Sequence, residues 1–227
     1  MKRFKKFNGI KAIIFDLDGT LIDSSEGLYE SFRIACKEIQ VATPSKDKFF
    51  SAIGPPIGDV FDVVFPNHEH QKEKFVSAFR YDYDNFSFNK FKENGNLLKL
   101  FTELIKKDCY LAIVTNKPSL PTEKILNQIN ILNIFHEVFC RDTLNATWNK
   151  EKNLAYCIKK MRTDYNLQIE NFIYVGDTAE DLEASRNNSI AFIGVIGNFF
   201  EWPLNFNQSI PLITDLALIL NHLEFKT

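Results

Sequence analysis

The sequence predicts an α/β protein with a doubly wound parallel sheet, a Rossmann-like core, and a small all-helical domain inserted into it. Short apolar runs alternate with helical patterns from residue 97 onwards, as in parallel sheets whose strands are buried on both faces. Residues 24–89 show only helical periodicity and follow the first apolar run closely. We therefore expect residues 1–22 and 89–227 to form the core and residues 23–88 to form the helical insertion.

Composition restricts the classes of partner that we expect. The chain has 227 residues, of which 45% are apolar, and a formal net charge of −2. This length allows a sizeable core, and this charge gives no reason to expect nucleic acid or an anionic membrane as a partner. The chain lacks a run of about 18 apolar residues and therefore a predicted membrane span. Its first apolar stretch runs straight into Asp16, unlike a signal peptide, so we expect a cytoplasmic protein.

The cysteines and histidines give no metal-site signal. Four cysteines are widely spaced without a CxxC pattern, and buried free thiols in a reducing compartment are the simplest interpretation for Cys36, Cys109, Cys140 and Cys157. His68 and His70 form an HxH pair, but their Glu and Lys neighbours favour a solvated loop over a metal site.

The helical insertion follows the first strand, which covers residues 12–15. Ser24 or Ser25 is the expected N-cap of a first helix, whose apolar residues then recur every three or four positions up to Ile39. A second short helix starts after Thr43-Pro44-Ser45 and ends before the rigid Gly54-Pro55-Pro56 sequence. Two further helices are predicted over residues 57–65 and 69–83, with Pro66-Asn67 between them.

The rest of the core is predicted as alternating helices and strands. Helices are expected over residues 97–105, 121–128, 153–161, 179–186 and 214–223. Strands are expected over residues 109–114, 138–140, 172–175 and 190–195. Residues 197–211 carry no pattern that assigns them to either class.

Two acids follow the first strand, in the sequence IIFDLDGTLIDS. Asp16 and Asp18 are one residue apart, and Gly19 permits a tight turn before Thr20. The carboxyl ends of parallel strands are where ligands bind in such sheets. Two negative charges placed together there need a cation, or a proton shared with a substrate, to offset their repulsion.

Further polar residues stand at the ends of other predicted elements. Thr115 ends the strand LAIVT and precedes Asn116, and a hydroxyl at that place can bind phosphoryl oxygens. Lys150 or Lys152 lies near the start of a helix, where a solvated lysine is the ordinary alternative. Gly176-Asp177 ends another strand, and Asp181 follows four residues later; an acid-rich helix start is the alternative there.

These segments together resemble the haloacid dehalogenase-like (HAD) phosphohydrolases. DLDGTLIDS is similar to the first motif of that family, VTNK to the second, and GDTAED to the fourth. The resemblance implies that Asp16 is a nucleophile that forms an aspartyl-phosphate, and that Asp18 is the general acid and base. It also implies that Thr115 and a lysine, Lys150 before Lys152, act on the phosphate, with Gly19, Thr20 and Asn116 near the substrate.

The resemblance further implies a Mg²⁺ cofactor. The carboxylates of Asp16 and Asp177 and the backbone carbonyl of Asp18 would be its ligands, and Asp181 would hold metal-bound water.

The helical insertion resembles the small cap of the phosphoglycolate phosphatase-like branch. Residues 53–56, read IGPP, and the FRxxY sequence that contains Arg80 carry this likeness. The resemblance implies that Gly54 and Arg80 contact a small phosphorylated metabolite such as 2-phosphoglycolate, in a monomer or homodimer. A plain helix turn and a solvated Arg80 are the ordinary alternatives for these two features.

Other functions stay open on the sequence alone. A β-phosphoglucomutase-like phosphotransferase and a nucleotide or pyrophosphate phosphatase would use the same fold. A phosphate-accepting signalling domain, or an inactive scaffold, are the alternatives that are not enzymes; the former would not need Asp18.

Overall fold

A computed structural model of the chain describes residues 6–145, 147–197, 202 and 210–224. Its strands are β1 (Phe7–Asn8), β2 (Ala12–Phe15), β3 (Ile22–Asp23), β4 (Lys92–Glu93), β5 (Tyr110–Val114), β6 (Glu137–Phe139), β7 (Phe172–Gly176), β8 (Ala191–Val195), β9 (Leu212–Ile213) and β10 (Leu223–Glu224). Its α-helices are α1 (Ser25–Glu38), α2 (Lys46–Phe50), α3 (Ile57–Val64), α4 (Lys72–Asn85), α5 (Leu97–Ile105), α6 (Ser119–Gln128), α7 (Lys150–Tyr165), α8 (Ala179–Asn187) and α9 (Ile219–His222).

A parallel six-stranded sheet forms the core, in the order β6-β5-β2-β7-β8-β9. The apolar first strand, β2, therefore lies between β5 and β7. Because all six strands run the same way, their carboxyl ends meet at one edge. The predicted fold class is confirmed, and the residues that follow β2, β5 and β7 come together there.

Helices cover both faces of this sheet. One hydrophobic cluster joins Ile13 and Phe15 to α5 and α6, and the other joins Ala12 and Ile14 to α7 and α8. Alternate residues of β2 thus enter opposite clusters, which explains why the strand is apolar throughout rather than alternating.

The helical insertion has a hydrophobic cluster of its own, built from α1 to α4. This cluster is rich in aromatic rings: Phe32 contacts Phe49, Phe65 and Phe75, and Phe61, Phe65 and Phe75 contact one another. Part of the high phenylalanine content of the chain is therefore used here. The antiparallel pair of β3 and β4 joins the insertion to the core, with Ile22 opposite Glu93.

Several element boundaries differ from the predictions. The helix expected over residues 214–223 is wrong in length, since only α9 is α-helical there. Leu212–Ile213 instead extends the sheet beside β8, and Leu223–Glu224 pairs with β1. Helix α7 begins at Lys150 rather than residue 153, because the side chain of Asn149 accepts from the backbone N–H of Lys152.

Two further predictions concern the cysteines and residues 197–211. All four cysteines are free and buried, as expected. Most of residues 197–211, which carry no pattern that predicts helix or strand, lie outside the described residues. Among the described helices, none is both long and apolar enough to cross a bilayer.

Candidate active site

Asp16 and Asp177 lie side by side because each follows one of two neighbouring strands, β2 and β7. The backbone N–H of Asp16 donates to the carbonyl oxygen of Val175 at 2.9 Å, which fixes the two strand ends relative to each other. Asp16, Asp177 and Asp181 are buried, and one carboxylate oxygen of each lies within 4.8 Å of the others. The first and fourth motifs therefore meet in space.

Burial and mutual repulsion act on these carboxylates. Burial raises the pKa of Asp16 to about 7; the ammonium of Lys150 opposes this shift, and the carboxylate of Asp181 adds to it. Burial, followed by the charges of Asp181 and Asp16, raises the pKa of Asp177 well above its ordinary value. The site thus favours a bound positive charge.

The hydrogen bonds of Asp177 and Asp181 differ. Oδ1 of Asp181 contacts Lys150 Nζ at 2.7 Å and the Tyr174 hydroxyl at 3.0 Å. Its Oδ2 accepts from the backbone N–H of Thr178 at 3.0 Å and from the Thr178 hydroxyl at 2.6 Å. Asp177 accepts from the Thr20 hydroxyl on Oδ1 at 3.2 Å, whereas its buried Oδ2 accepts no hydrogen bond from the described residues. The oxygen of the Tyr174 hydroxyl also lies 3.0 Å from the carbonyl oxygen of Val114, an alternative acceptor for its single proton. Each oxygen of Asp181 still has a protein donor, Lys150 on one and Thr178 on the other, whereas Oδ2 of Asp177 has none among the described residues.

Lys150 lies within the acidic cluster. Its Nζ donates to Oδ1 of Asp16 at 2.9 Å as well as to Asp181, and its side chain is buried. Burial alone would lower the pKa of Lys150, but the two carboxylates outweigh it and hold that pKa well above its usual range. Lys152 is exposed, so of the two lysines considered from the sequence only Lys150 contacts the acids.

A second group of contacts surrounds Asp18. Nζ of Lys117 donates to both carboxylate oxygens of Asp18, at 2.9 Å each, and to the hydroxyl of Tyr83 at 2.7 Å. The hydroxyl of Ser24 also donates to Oδ1 of Asp18. Ser24 stands at the N-cap position of α1, but its side chain makes no capping hydrogen bond; the predicted position is right, and the hydroxyl serves Asp18 instead.

The residues predicted to contact the phosphate or the substrate lie in different surroundings. Thr115 is buried and lines the cavity beside Asp16; its hydroxyl oxygen accepts from the backbone N–H of Lys117, which leaves its own proton to donate. The amide nitrogen of Asn116 donates to Glu180 at 2.9 Å. The backbone N–H of Gly19, whose φ is +80°, donates to Ile22.

A cavity of about 90 Å³ opens between the acidic cluster and the helical insertion. Its walls include Asp16, Asp18, Lys150, Thr115 and Asn116 from the core. From the insertion it receives the apolar side chains of Leu28, Ile53, Pro55, Pro56, Ile57 and Phe79, together with Gly54 and Arg80. Gly19 and Thr20 are not among its lining residues, so their predicted contact with substrate stays a prediction.

The acidic cluster fits a hard divalent cation. Carboxylate oxygens are the ligands that Mg²⁺ prefers, and the unpartnered buried Oδ2 of Asp177 is an acceptor that a cation would satisfy. Gly197 packs against this place: a Cβ there would lie 2.7 Å from the carbonyl oxygen of Gly19 and 3.5 Å from Oδ2 of Asp177. The residues therefore suit the metal that the sequence predicts.

Two residues of this region were missed on the sequence. Lys117 belongs to the VTNK sequence, and its place two residues after Thr115 was the available signal. Tyr174 lies inside β7, where nothing in the strand pattern distinguishes it from a core aromatic; only the contact with Asp181 shows its role. Tyr83 was singled out only as part of the FRxxY likeness.

Comparisons with known proteins agree with this geometry. The model of the haloacid dehalogenase-like hydrolase family matches residues 13–195. A 5'-nucleotidase of Pseudomonas aeruginosa is 26% identical over 216 residues, which cover 93% of this chain and 95% of that protein. A phosphoglycolate phosphatase of Agrobacterium fabrum is 23% identical over 215 residues, 91% of this chain and 89% of that protein.

A solved structure shares the fold. That of protein tyrosine kinase A from Mycobacterium tuberculosis superposes with a TM-score of 0.78 at 24% identity, covering 94% of this chain and 97% of that one. An identity this low shows the fold alone, whereas the family model spans the first strand, the acidic cluster and the last long strand of the sheet. The chain therefore belongs to the haloacid dehalogenase-like hydrolase family.

Proposed function

We propose that the chain is a Mg²⁺-dependent phosphomonoester hydrolase that works through an aspartyl-phosphate on Asp16. The observation that carries this proposal is the meeting of three buried carboxylates and Lys150 beside the cavity that Asp18 also lines. A phosphate in that cavity would face a nucleophile, an ammonium and a second acid at once.

Asp16 acts as the nucleophile in this proposal. Its carboxylate forms a bond to phosphorus while the bond from phosphorus to the ester oxygen breaks, and that oxygen takes the electron pair. Asp18 then gives the leaving oxygen a proton, and in the second half it takes a proton from the water that cleaves the aspartyl-phosphate. Lys150 and the Thr115 hydroxyl hold phosphoryl oxygens by charge and hydrogen bonding.

The carboxylates of Asp16 and Asp177 and the backbone carbonyl of Asp18 would hold Mg²⁺, which would offset the repulsion between acids and phosphate. Asp181 suits an outer role, because each of its oxygens already has a protein donor. Its bonds to Lys150, Tyr174 and Thr178 would keep the lysine in place.

The substrate class is proposed from the relatives and from Arg80. A relative named phosphoglycolate phosphatase favours a compact phosphorylated metabolite such as 2-phosphoglycolate, and a relative named 5'-nucleotidase makes a nucleotide the alternative. Arg80 lines the cavity and makes no hydrogen bond or ion pair with the described residues, so its guanidinium is available to a substrate carboxylate.

Steady-state assays test the proposal. Phosphate release from 2-phosphoglycolate should need Mg²⁺, stop with a chelator, and fall below detection in Asp16→Asn. An acid-quenched phosphoenzyme that hydroxylamine cleaves should form in the wild type and not in this variant. Full activity of Asp16→Asn in a clean preparation would contradict the proposal.

The same samples separate the alternatives. Nucleoside monophosphates and pyrophosphate belong in the substrate panel, since faster turnover of either would reassign the substrate. Return of phosphate to a sugar phosphate would indicate a mutase, and a long-lived phosphoenzyme without turnover would indicate a signalling domain. The cytoplasmic location and the monomeric or homodimeric state stay predictions.

A further inference from the structure

Lys117 is a buried cation that the proposed chemistry does not use. Its side chain is 3% exposed, and its ammonium donates hydrogen bonds to both oxygens of Asp18 and to the hydroxyl of Tyr83. It also lies 4.4 Å from the centroid of the Tyr83 ring. Burying a lysine is unfavourable unless partners replace its lost hydration. Asp18 and Tyr83 are the partners that do so for Lys117.

The backbone of Lys117 is fixed to the sheet. Its N–H donates to the Thr115 hydroxyl at 3.2 Å, and its carbonyl oxygen accepts from the backbone N–H of Arg141 at 3.2 Å. Lys117 follows β5 as Asp18 follows β2, and these strands are neighbours. The ammonium therefore reaches Asp18 from a rigid base.

Asp18, in contrast, is partly exposed. Its side chain is 24% exposed and lines the cavity, and it stands directly before Gly19, whose φ is positive. A general acid must keep its oxygen within hydrogen-bond reach of the atom that it protonates. Lys117 holds both oxygens of Asp18, whereas Ser24 holds only one.

We propose that Lys117, braced by the Tyr83 hydroxyl of the helical insertion, is a positioning residue that aims Asp18 at the leaving oxygen. This inference rests on the proposed function. It gives the insertion a part in proton transfer, through Tyr83 and Lys117, in addition to covering the cavity. Lys117 and Tyr83 also line the cavity, but the three hydrogen bonds of the Lys117 ammonium go to Asp18 and Tyr83. We therefore assign Lys117 to Asp18 rather than to the substrate phosphate.

Two small esters with different leaving groups test this assignment. Acetate leaves phosphorus readily without a proton, whereas ethoxide needs one, so a misplaced acid harms only the second reaction. We expect Lys117→Met to lower kcat/KM for ethyl phosphate by about 100-fold and for acetyl phosphate by less than about 5-fold. Equal losses on both esters would overturn the proposal, because they would mean that Lys117 binds the phosphate common to both.

Lys124 offers a matched control. Its ammonium donates to the backbone carbonyl of Asp84 at 2.6 Å and lies over the ring of Phe88, so it also ties the core to the insertion, but no hydrogen bond joins it to Asp18. Lys124→Met should leave the ratio of the two kcat/KM values unchanged. A ratio altered as much as in Lys117→Met would overturn the assignment.

Tyr83→Phe keeps the ring and removes the hydroxyl. We expect kcat/KM to fall less than in Lys117→Met, and again to fall more for ethyl phosphate than for acetyl phosphate. This variant decides the test if Lys117→Met does not fold. In an Asp18→Asn background, Lys117→Met should cost nothing further, since it acts through the missing carboxylate. A further loss there would contradict the proposal.

The failure of this inference can be told apart from failure of the proposed function. A wild type that forms no phosphoenzyme on Asp16 would reject the proposed function and this inference with it. A wild type that forms the phosphoenzyme, together with a Lys117→Met variant that is equally slow on both esters, would reject this inference alone.

Discussion

Three buried carboxylates share one lysine at the centre of the site, so their charges are only partly balanced. Asp16 has an ordinary carboxyl pKa of 3.8 when the chain is unfolded and about 7 in the folded protein, chiefly because it is buried. Between these two values the folded chain binds the proton more tightly. The contribution of Asp16 to stability is therefore present below about pH 4 and is lost as the pH rises towards 7.

We expect this loss to be visible in metal-free protein. The free energy of unfolding in urea, measured with a chelator from pH 4 to pH 8, should fall relative to that of Asp16→Asn, with a slope of at most about 1.4 kcal/mol per pH unit. The asparagine variant cannot titrate at this position, so the difference isolates Asp16. Parallel curves for the two proteins would contradict the prediction.

Arg80 gives a prediction about specificity. If its guanidinium meets a substrate carboxylate, Arg80→Ala should raise KM for 2-phosphoglycolate by about 10-fold or more, the value of one lost charge-assisted hydrogen bond. KM for ethyl phosphate, which has a similar size and no carboxylate, should change little. Equal changes for both substrates would mean that Arg80 braces the insertion instead.

The acids were predictable at this scale because each stands at a strand end within a short recognisable segment. Lys117 was not, since its significance depends on Asp18, which lies 99 residues away in the sequence, and on Tyr83, which lies 34 residues away. No local pattern records such distances. The hydroxyl of Ser24 misled in a similar way, because a capping serine and a serine that serves another side chain look the same in sequence.

The packing of helix α1 against residues 87–89 leaves no room for a side chain at Gly27. A Cβ there would lie 2.2 Å from the carbonyl oxygen of Ser87, which is a backbone atom that cannot rotate away. We expect Gly27→Ala to lower the free energy of unfolding by about 1–3 kcal/mol, as overpacking does elsewhere. Urea denaturation measures this change.

Gly58 provides the matched control, because it too lies in a helix of the insertion. A Cβ at Gly58 would lie 3.3 Å from the flexible end of Lys72 and in ordinary contact, 3.8 Å, with a methyl group of Val76. Gly58→Ala should therefore be neutral or stabilise the protein by up to about 1 kcal/mol, since alanine is the better helix former. A similar loss in both variants would show that the close approach at Gly27 does not matter.

Helix boundaries show what limited prediction at the scale of elements. Apolar periodicity located α5 well, because that helix presents an apolar face from its first turn. The first turn of α7 is polar, so only the cap at Asn149 marks its start. Near the end of the chain, Asp215 caps a 3-10 turn over Leu216–Leu218 that leads into α9, and the pairing of Leu223 with Phe7 ends the helix. Long-range pairing of this kind has no local signature.

At the scale of the whole molecule, the cation predicted for the acidic cluster should stabilise the fold by mass action. Mg²⁺ at 100 times its dissociation constant would add about 2.7 kcal/mol to the free energy of unfolding. The gain should be greater at pH 8 than at pH 5, because the ligands must lose their protons first. Thermal unfolding with and without Mg²⁺ at the two pH values measures it.

Asp177→Asn is the control for this measurement. It removes the carboxylate whose Oδ2 has no protein partner, so the stabilisation by Mg²⁺ should disappear or become much smaller. A Mg²⁺ effect that persists unchanged in this variant would locate the bound ion elsewhere. The parallel sheet and the helical character of residues 24–89 were predictable from periodicity, but the order of strands that places Asp16 beside Asp177 was not.

The chain leaves the core along β3 and returns along β4, and these strands are paired. Just after β4 the side chain of Asn94 donates to the carbonyl oxygen of Thr20 at 2.9 Å. This hydrogen bond ties the returning chain to the loop that follows Asp16 and Asp18. The two points at which the chain leaves and re-enters the core therefore lie on neighbouring strands. Another segment whose ends are similarly spaced could be inserted there without changing the strand order of the sheet. Recombination at this junction would exchange the apolar wall of the cavity and leave the acidic cluster in the core, but the new segment would also have to replace Tyr83, whose hydroxyl bonds Lys117.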